Sequence, residues 1–316
     1  MMTKRIDILV ANDFHDETIS TLDKLYKTHH LWKYSEEQKK NLICSLQGKC
    51  KAVVTGSWNC DKIVYTLDSL EIISCFGVGV DIIDFNETNS RGIKVSNTPN
   101  VLNDSVAEIA LALILATARN TVAADKFVRN KEWQNGSFPF AQSLTGKTLG
   151  IVGLGSIGEE IVQRALPFNL NIAYHNRSPK NVPYKYYPSI TELAANSDIL
   201  LCMLPGGAAT EKVINQEVFQ NLGPTGIFIN VGRGSTVDED ALVDALATNQ
   251  IFAAGLDVYT NEPNVPEQLL SMENVVLLPH IGSATIEARR AMGQLVIDNL
   301  EAHFSEKPLL TPVTHS

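Results

Sequence analysis

Thr148-Leu149-Gly150-Ile151-Val152 runs without a break into Gly153-Leu154-Gly155-Ser156-Ile157-Gly158, and residues 159–166 have helical character. No other stretch of the chain narrows its fold so far. A β-branched run, a G-x-G-x-x-G turn and a helix in direct succession are the opening of a dinucleotide-binding βαβ unit. Gly153 would permit the tight turn, Gly155 would let backbone N–H groups approach a pyrophosphate, and Gly158 would let the helix pack on the strand. The anion would rest at the helix N-terminus, where unpaired N–H groups and the helix dipole favour negative charge.

Short apolar runs alternate with amphipathic stretches on both sides of this unit. Residues 6–10, 52–55, 70–74 and 93–95 read as strands, and 18–26 as a helix. The second series comprises Thr148–Val152, Asn171–His175, 198–202, 226–231, 252–256 and 275–278. Six strands with helices between them is the count of a doubly wound dinucleotide fold, so the chain is α/β with parallel sheets. Between the two series Asn97-Thr98-Pro99-Asn100 breaks the pattern, and a long helix follows with Asp104 or Ser105 as its cap. Residues 106–118 are apolar nearly all round, which predicts burial on more than one side, between domains or between subunits. A last helix at about 285–304 brings the chain back onto its first domain.

With 316 residues there is room for about two domains, and 44% hydrophobic residues exclude a disordered chain. A formal charge of −9 argues against nucleic acid or an anionic membrane surface as partner. Lys4, Arg5 and Asp7 stand where a signal peptide would carry its apolar core, and the apolar stretch 109–116 is too short for a bilayer. A cytoplasmic protein is expected. Cys44, Cys50, Cys60, Cys75 and Cys202 contain no C-x-x-C pair and read as small buried hydrophobes; no metal site is expected.

The second strand of the dinucleotide unit ends at Asn176-Arg177-Ser178. An NAD site usually has an acid about 20 residues past the first glycine, accepting from the ribose 2′-hydroxyl. Here no carboxylate would repel a 2′-phosphate, and a guanidinium stands ready to pair with one. NADPH is the expected coenzyme and NAD the alternative, in which case Arg177 is merely solvated. Arg233, Glu262 and His280 follow, each at a strand end or in the loop after it, where ligands bind in open α/β sheets. Each alone has a structural explanation.

In their order and spacing behind Gly153, these three residues resemble the D-isomer-specific 2-hydroxyacid dehydrogenases. Phe76-Gly77-Val78-Gly79-Val80-Asp81, Ser96-Asn97-Thr98-Pro99 and the ending Phe304-Ser305-Glu306-Lys307-Pro308-Leu309-Leu310-Thr311-Pro312-Val313 resemble the glyoxylate/hydroxypyruvate reductase branch, including enzymes of hydroxyphenylpyruvate. The resemblance implies a Rossmann coenzyme domain, residues 101–285, inserted in a smaller flavodoxin-like substrate domain, residues 1–100 with 286–316. It implies reduction of a small 2-keto acid to the D-2-hydroxy acid. Arg233 would hold the carboxylate and the ketone oxygen through its planar donors. His280 would donate the proton, and Glu262, on the other ring nitrogen, would fix its tautomer and support its charged form.

By the same resemblance, backbone N–H groups of Val78 and Gly79 take the substrate carboxylate. Leu154, Gly155, Ser156 and Ile157 take the pyrophosphate, Val231 and Gly232 line the coenzyme, and Asp257 faces the nicotinamide amide. The site would lie in a cleft between the domains, in a homodimer built on the long apolar helix. Glu262 separates the chain from formate dehydrogenases, which carry glutamine there. Trp58, where relatives often have small residues, would either line the substrate cleft or pack under its own loop. Two other activities stay open: an NAD-linked dehydrogenase of the D-lactate type, and a non-enzymatic dinucleotide sensor like the C-terminal-binding corepressors.

Overall fold

The computed structural model describes residues 5–314, which divide into two compact units. The first comprises residues 5–102 and 284–314, the second residues 103–283. The first contains a five-stranded parallel sheet of β1 (Asp7–Val10), β2 (Lys27–His30), β3 (Cys50–Gly56), β4 (Ile72–Phe76) and β5 (Lys94–Ser96), in the order β2-β1-β3-β4-β5. That is the flavodoxin-like order. β1 and β4 are buried at every position, as strands covered by helices on both faces must be. Their core includes Leu9, Val53, Ile73, Leu67 and Val95.

The second unit holds seven parallel strands: β6 (Thr148–Val152), β7 (Asn171–His175), β8 (Lys185–Tyr186), β9 (Ile199–Cys202), β10 (Ile227–Asn230), β11 (Ala253–Leu256) and β12 (Val275–Leu277). Their order, β12-β11-β10-β9-β6-β7-β8, is the Rossmann arrangement, and the chain reverses its winding between β6 and β9. Two strands go beyond those read from the sequence. β2 is a half-exposed edge strand of Lys-Thr-His-His, and β8 is a two-residue edge. Neither has the apolar signal of an inner strand.

The long helix also departs from expectation. It spans Asn103–Ala118, so Asp104 and Ser105 lie inside its first turn and do not cap it. Asp104 pairs with Arg164 of the following unit helix, and Ser105 is buried. One side of the helix packs inward through Val106, Ala110, Leu113 and Ile114, while Glu108 and Ala112 stay exposed. Cys44 is exposed; the other four cysteines are buried, and burial pushes the Cys50 thiol up to about 12. No single helix among the described residues is long and apolar enough to cross a membrane.

Candidate active site

The carboxyl ends of β6, β7, β10, β11 and β12 carry the candidate residues of the second unit. Parallel register sets the first pair of loops side by side, because Val152 lies opposite His175. Gly153 has φ +96°, a conformation open to glycine, and a Cβ there would come within 3.2 Å of Leu204. Around Gly155 nothing lies within 4 Å of a Cβ position, and no side chain caps the helix Ser156–Ala165 that follows. The turn is therefore open, with the unpaired N–H groups of a helix start above it. Those features fit a coenzyme pyrophosphate.

Asn176 is bound to this turn. Its Oδ1 accepts from Leu154 N–H at 2.7 Å and its Nδ2 donates to Leu154 C=O at 3.1 Å. Arg177 and Ser178 next to it are exposed, and Arg177 has no ion-pair partner among the described residues. Lys180, which the sequence motif did not single out, also reaches this corner. Its Nζ donates to Leu154 C=O at 3.2 Å and pairs with Glu159. Only its charge two residues past Ser178 could have marked it.

Arg233, Glu262 and His280 stand on three neighbouring strand ends. His280 Nδ1 is 2.7 Å from Glu262 Oε2, while Glu262 Oε1 accepts from Tyr259 N–H at 3.0 Å. With both carboxylate oxygens engaged, Glu262 holds the imidazole in a fixed orientation. Burial acts to raise the Glu262 carboxyl, but the His280 hydrogen bond and charge, the Tyr259 N–H and Arg233 outweigh it, holding it below the usual glutamate value. The loop of Arg233 presses on that of Glu262: a Cβ on Gly234 would fall 1.9 Å from the Tyr259 carbonyl carbon. On its other side, a Cβ on Gly232 would fall 2.6 Å from Leu204 C=O. Asn230, 1% exposed, ties the loop internally through Gly232 N–H and Arg233 C=O, each at 3.0 Å. Val231 is buried beneath it.

His280 has φ +53°, a costly conformation for a residue with a Cβ. Asp257 secures it. Its backbone C=O accepts from His280 N–H, and its two carboxylate oxygens accept from Ile281 and Gly282 N–H, all three at 2.8 Å. Burial pushes this carboxyl above the ordinary aspartate range against those two donors. Asp257 is thus first a brace for the His280 turn; the sequence offered no sign of that.

In the first unit, Val78 and Gly79 follow β4. Gly77 has φ +154°, and a Cβ there would meet Ser57 at 2.3 Å. Val78 C=O accepts from Asn97 Nδ2 at 2.8 Å, while the Val78 and Gly79 N–H groups donate to no acceptor among the described residues. Trp58 is 44% exposed, and its ring lies against Gly56.

Comparison with known proteins matches residues 111–282 to the family model "D-isomer specific 2-hydroxyacid dehydrogenase, NAD binding domain". The chain belongs to that family. It is 46% identical to a hydroxyphenylpyruvate reductase of Plectranthus scutellarioides over 92% of this chain and 94% of the relative. To a glyoxylate/hydroxypyruvate reductase of Arabidopsis thaliana it is 44% identical over 92% and 94%. Among solved structures, an NADPH-dependent glyoxylate/hydroxypyruvate reductase of Sinorhizobium meliloti in complex with NADP and malonate superposes with TM-score 0.91. It is 40% identical, with 98% of this chain and 97% of the other covered. The chain is accordingly an oxidoreductase of the glyoxylate/hydroxypyruvate reductase branch, using a nicotinamide coenzyme to reduce a 2-keto acid to the 2-hydroxy acid.

Proposed function

We propose that the enzyme prefers NADPH and forms the D-hydroxy acid from glyoxylate, hydroxypyruvate or a related 2-keto acid. The observation that carries the coenzyme reading is Arg177, an exposed guanidinium without an ion-pair partner among the described residues, beside Asn176 and Lys180 and with no acid at the strand end. Gly153, Leu154, Gly155, Ser156, Ile157 and Gly158 hold the pyrophosphate; Asn176, Arg177 and Ser178 receive the ribose and its phosphate. Val231, Gly232 and Asp257 line the nicotinamide end. When bound, the coenzyme supplies the hydride.

The Val78 and Gly79 N–H groups would take the substrate carboxylate, and Arg233 would grip carboxylate and ketone oxygen and polarise the carbonyl. His280, charged and held at Nδ1 by Glu262, gives its Nε2 proton to the oxygen as the carbonyl carbon is reduced, and becomes neutral imidazole. The chain acts as a homodimer in the cytoplasm.

A panel of glyoxylate, hydroxypyruvate, pyruvate, phenylpyruvate and hydroxyphenylpyruvate, each with NADPH and NADH, tests this. NADPH should give the higher kcat/KM at physiological ionic strength. Arg177→Ala should raise the KM for NADPH about ten- to a hundredfold, the value of one charge-assisted hydrogen bond, and leave that for NADH nearly unchanged. Equal loss of both coenzymes, or a wild-type preference for NADH, overturns the assignment.

A further inference from the structure

We propose that Arg289 reads an oxygen substituent on C3 of the substrate, making it a specificity residue for hydroxypyruvate-type 2-keto acids. The inference rests on the reading of the Val78 and Gly79 N–H groups as the carboxylate site. Arg289 lies in the first turn of the helix Ile286–Phe304, half-buried, with its guanidinium 5.6 Å from the centre of the Phe76 ring. Its neighbour Arg290 is accounted for, since Glu17 takes it with both oxygens at 2.7 and 2.8 Å. Arg289 has no such partner among the described residues: no carboxylate pairs with it and no carbonyl accepts from it. Burial alone pulls it below the usual arginine value, and no anion restores it.

A guanidinium carries five donors, and a partly desolvated cation without acceptors is costly unless something supplies them. The ring beneath it attracts the charge but accepts no N–H bond in the guanidinium plane. The place of that ring identifies the missing acceptor. Phe76 ends β4 and is followed directly by Gly77, Val78 and Gly79. Phe14 and His15, just past the carboxyl end of β1, pack on the same ring with centroids 4.6 and 6.2 Å away. His15 is the other titratable group facing it, and its Nδ1 is taken by Thr18 Oγ1 at 2.8 Å. So at the carboxyl edge of the five-stranded sheet, an uncommitted cation stands beside two uncommitted N–H groups. In the proposed reading the N–H pair takes the carboxylate. Arg289 is left for an acceptor farther along the substrate, which in a three-carbon keto acid is the C3 hydroxyl.

Hydroxypyruvate and pyruvate differ only by that hydroxyl, so their kcat/KM ratio is the readout. Measured on one preparation, the ratio is independent of the fraction of enzyme correctly folded. Arg289→Met keeps an apolar stem on Phe76 and should lower the hydroxypyruvate-to-pyruvate ratio about ten- to a hundredfold, mainly through loss on hydroxypyruvate. Arg289→Lys should retain part of the preference. An unchanged ratio in Arg289→Met, with both acids lost equally or neither lost, overturns the inference while leaving the proposed function intact. A wild-type enzyme that reduces no 2-keto acid of the panel overturns the proposed function itself.

Discussion

The Glu262–His280 pair concentrates the site's pH behaviour in one hydrogen bond of 2.7 Å. Because the Glu262 carboxyl is held below its usual value in the folded protein, the stability it contributes is present above the ordinary glutamate range and is lost as pH falls through the lowered value. For catalysis the sign follows from the proton's direction. In the proposed mechanism reduction consumes the charged imidazole of His280, so its rate should fall as pH rises, while oxidation of the hydroxy acid should gain. Glu262→Gln keeps an acceptor for Nδ1–H and removes the charge, so the alkaline decline of reduction should move to lower pH. A pH profile of kcat/KM for both directions measures this, and an unmoved limb would mean that His280 is not the titrating acid. Arg233, Glu262 and His280 could be singled out in the sequence because each is a side chain with a distinctive spacing, and the structure puts them on neighbouring strand ends. Asp257 as a brace, Asn230 and the Tyr259 N–H were not, since they act through backbone groups whose partners depend on the fold. His280 at φ +53° shows the same limit: the residue type gives no hint that its turn is left-handed.

At the scale of elements, inner strands announced themselves and edges did not. β6 and β7 fall where their apolar runs place them, whereas β2 is polar because its neighbour needs it to be: Asp7 on β1, 5% exposed, takes His29 Nε2 at 2.7 Å and Lys27 Nζ at 2.9 Å. Loop packing was equally hidden. The G-x-G-x-x-G turn could be read as glycine by function, but Gly234 is glycine because the loop of Arg233 touches the Tyr259 backbone. Gly234→Ala must separate those loops, which displaces Arg233 from Glu262. The expected outcome is a loss of about 1–3 kcal/mol in stability by urea denaturation, together with a fall in kcat that exceeds any change in coenzyme KM. Wild-type kcat in Gly234→Ala would show that the two loops need not touch for the site to work.

For the whole molecule, the segment after the long helix sets the terms. The helix Thr121–Arg129 has no buried residue, yet it is amphipathic, with Val122 at 43% and Val128 at 54% exposure. Trp133 is 69% exposed and Phe140 fully so, while the Phe127 and Phe138 rings meet with their centres 5.3 Å apart. A nine-residue helix is too short to hold its shape in water without a surface to pack on. Exposed apolar side chains of this kind mark an association site, and in the proposed homodimer a second copy of the chain would meet the identical patch through a two-fold axis. The half-exposed side of Asn103–Ala118 extends the same surface. Light scattering at low micromolar concentration should therefore give twice the chain mass of 34.6 kDa. Trp133→Asp with Phe140→Asp should shift the mass toward the monomer and lower the melting temperature, since each chain then loses the support of its partner. A wild-type chain that remains monomeric under these conditions removes the dimer. A double variant that stays dimeric places the interface elsewhere, because two charges in the centre of an apolar contact would leave buried carboxylates without partners.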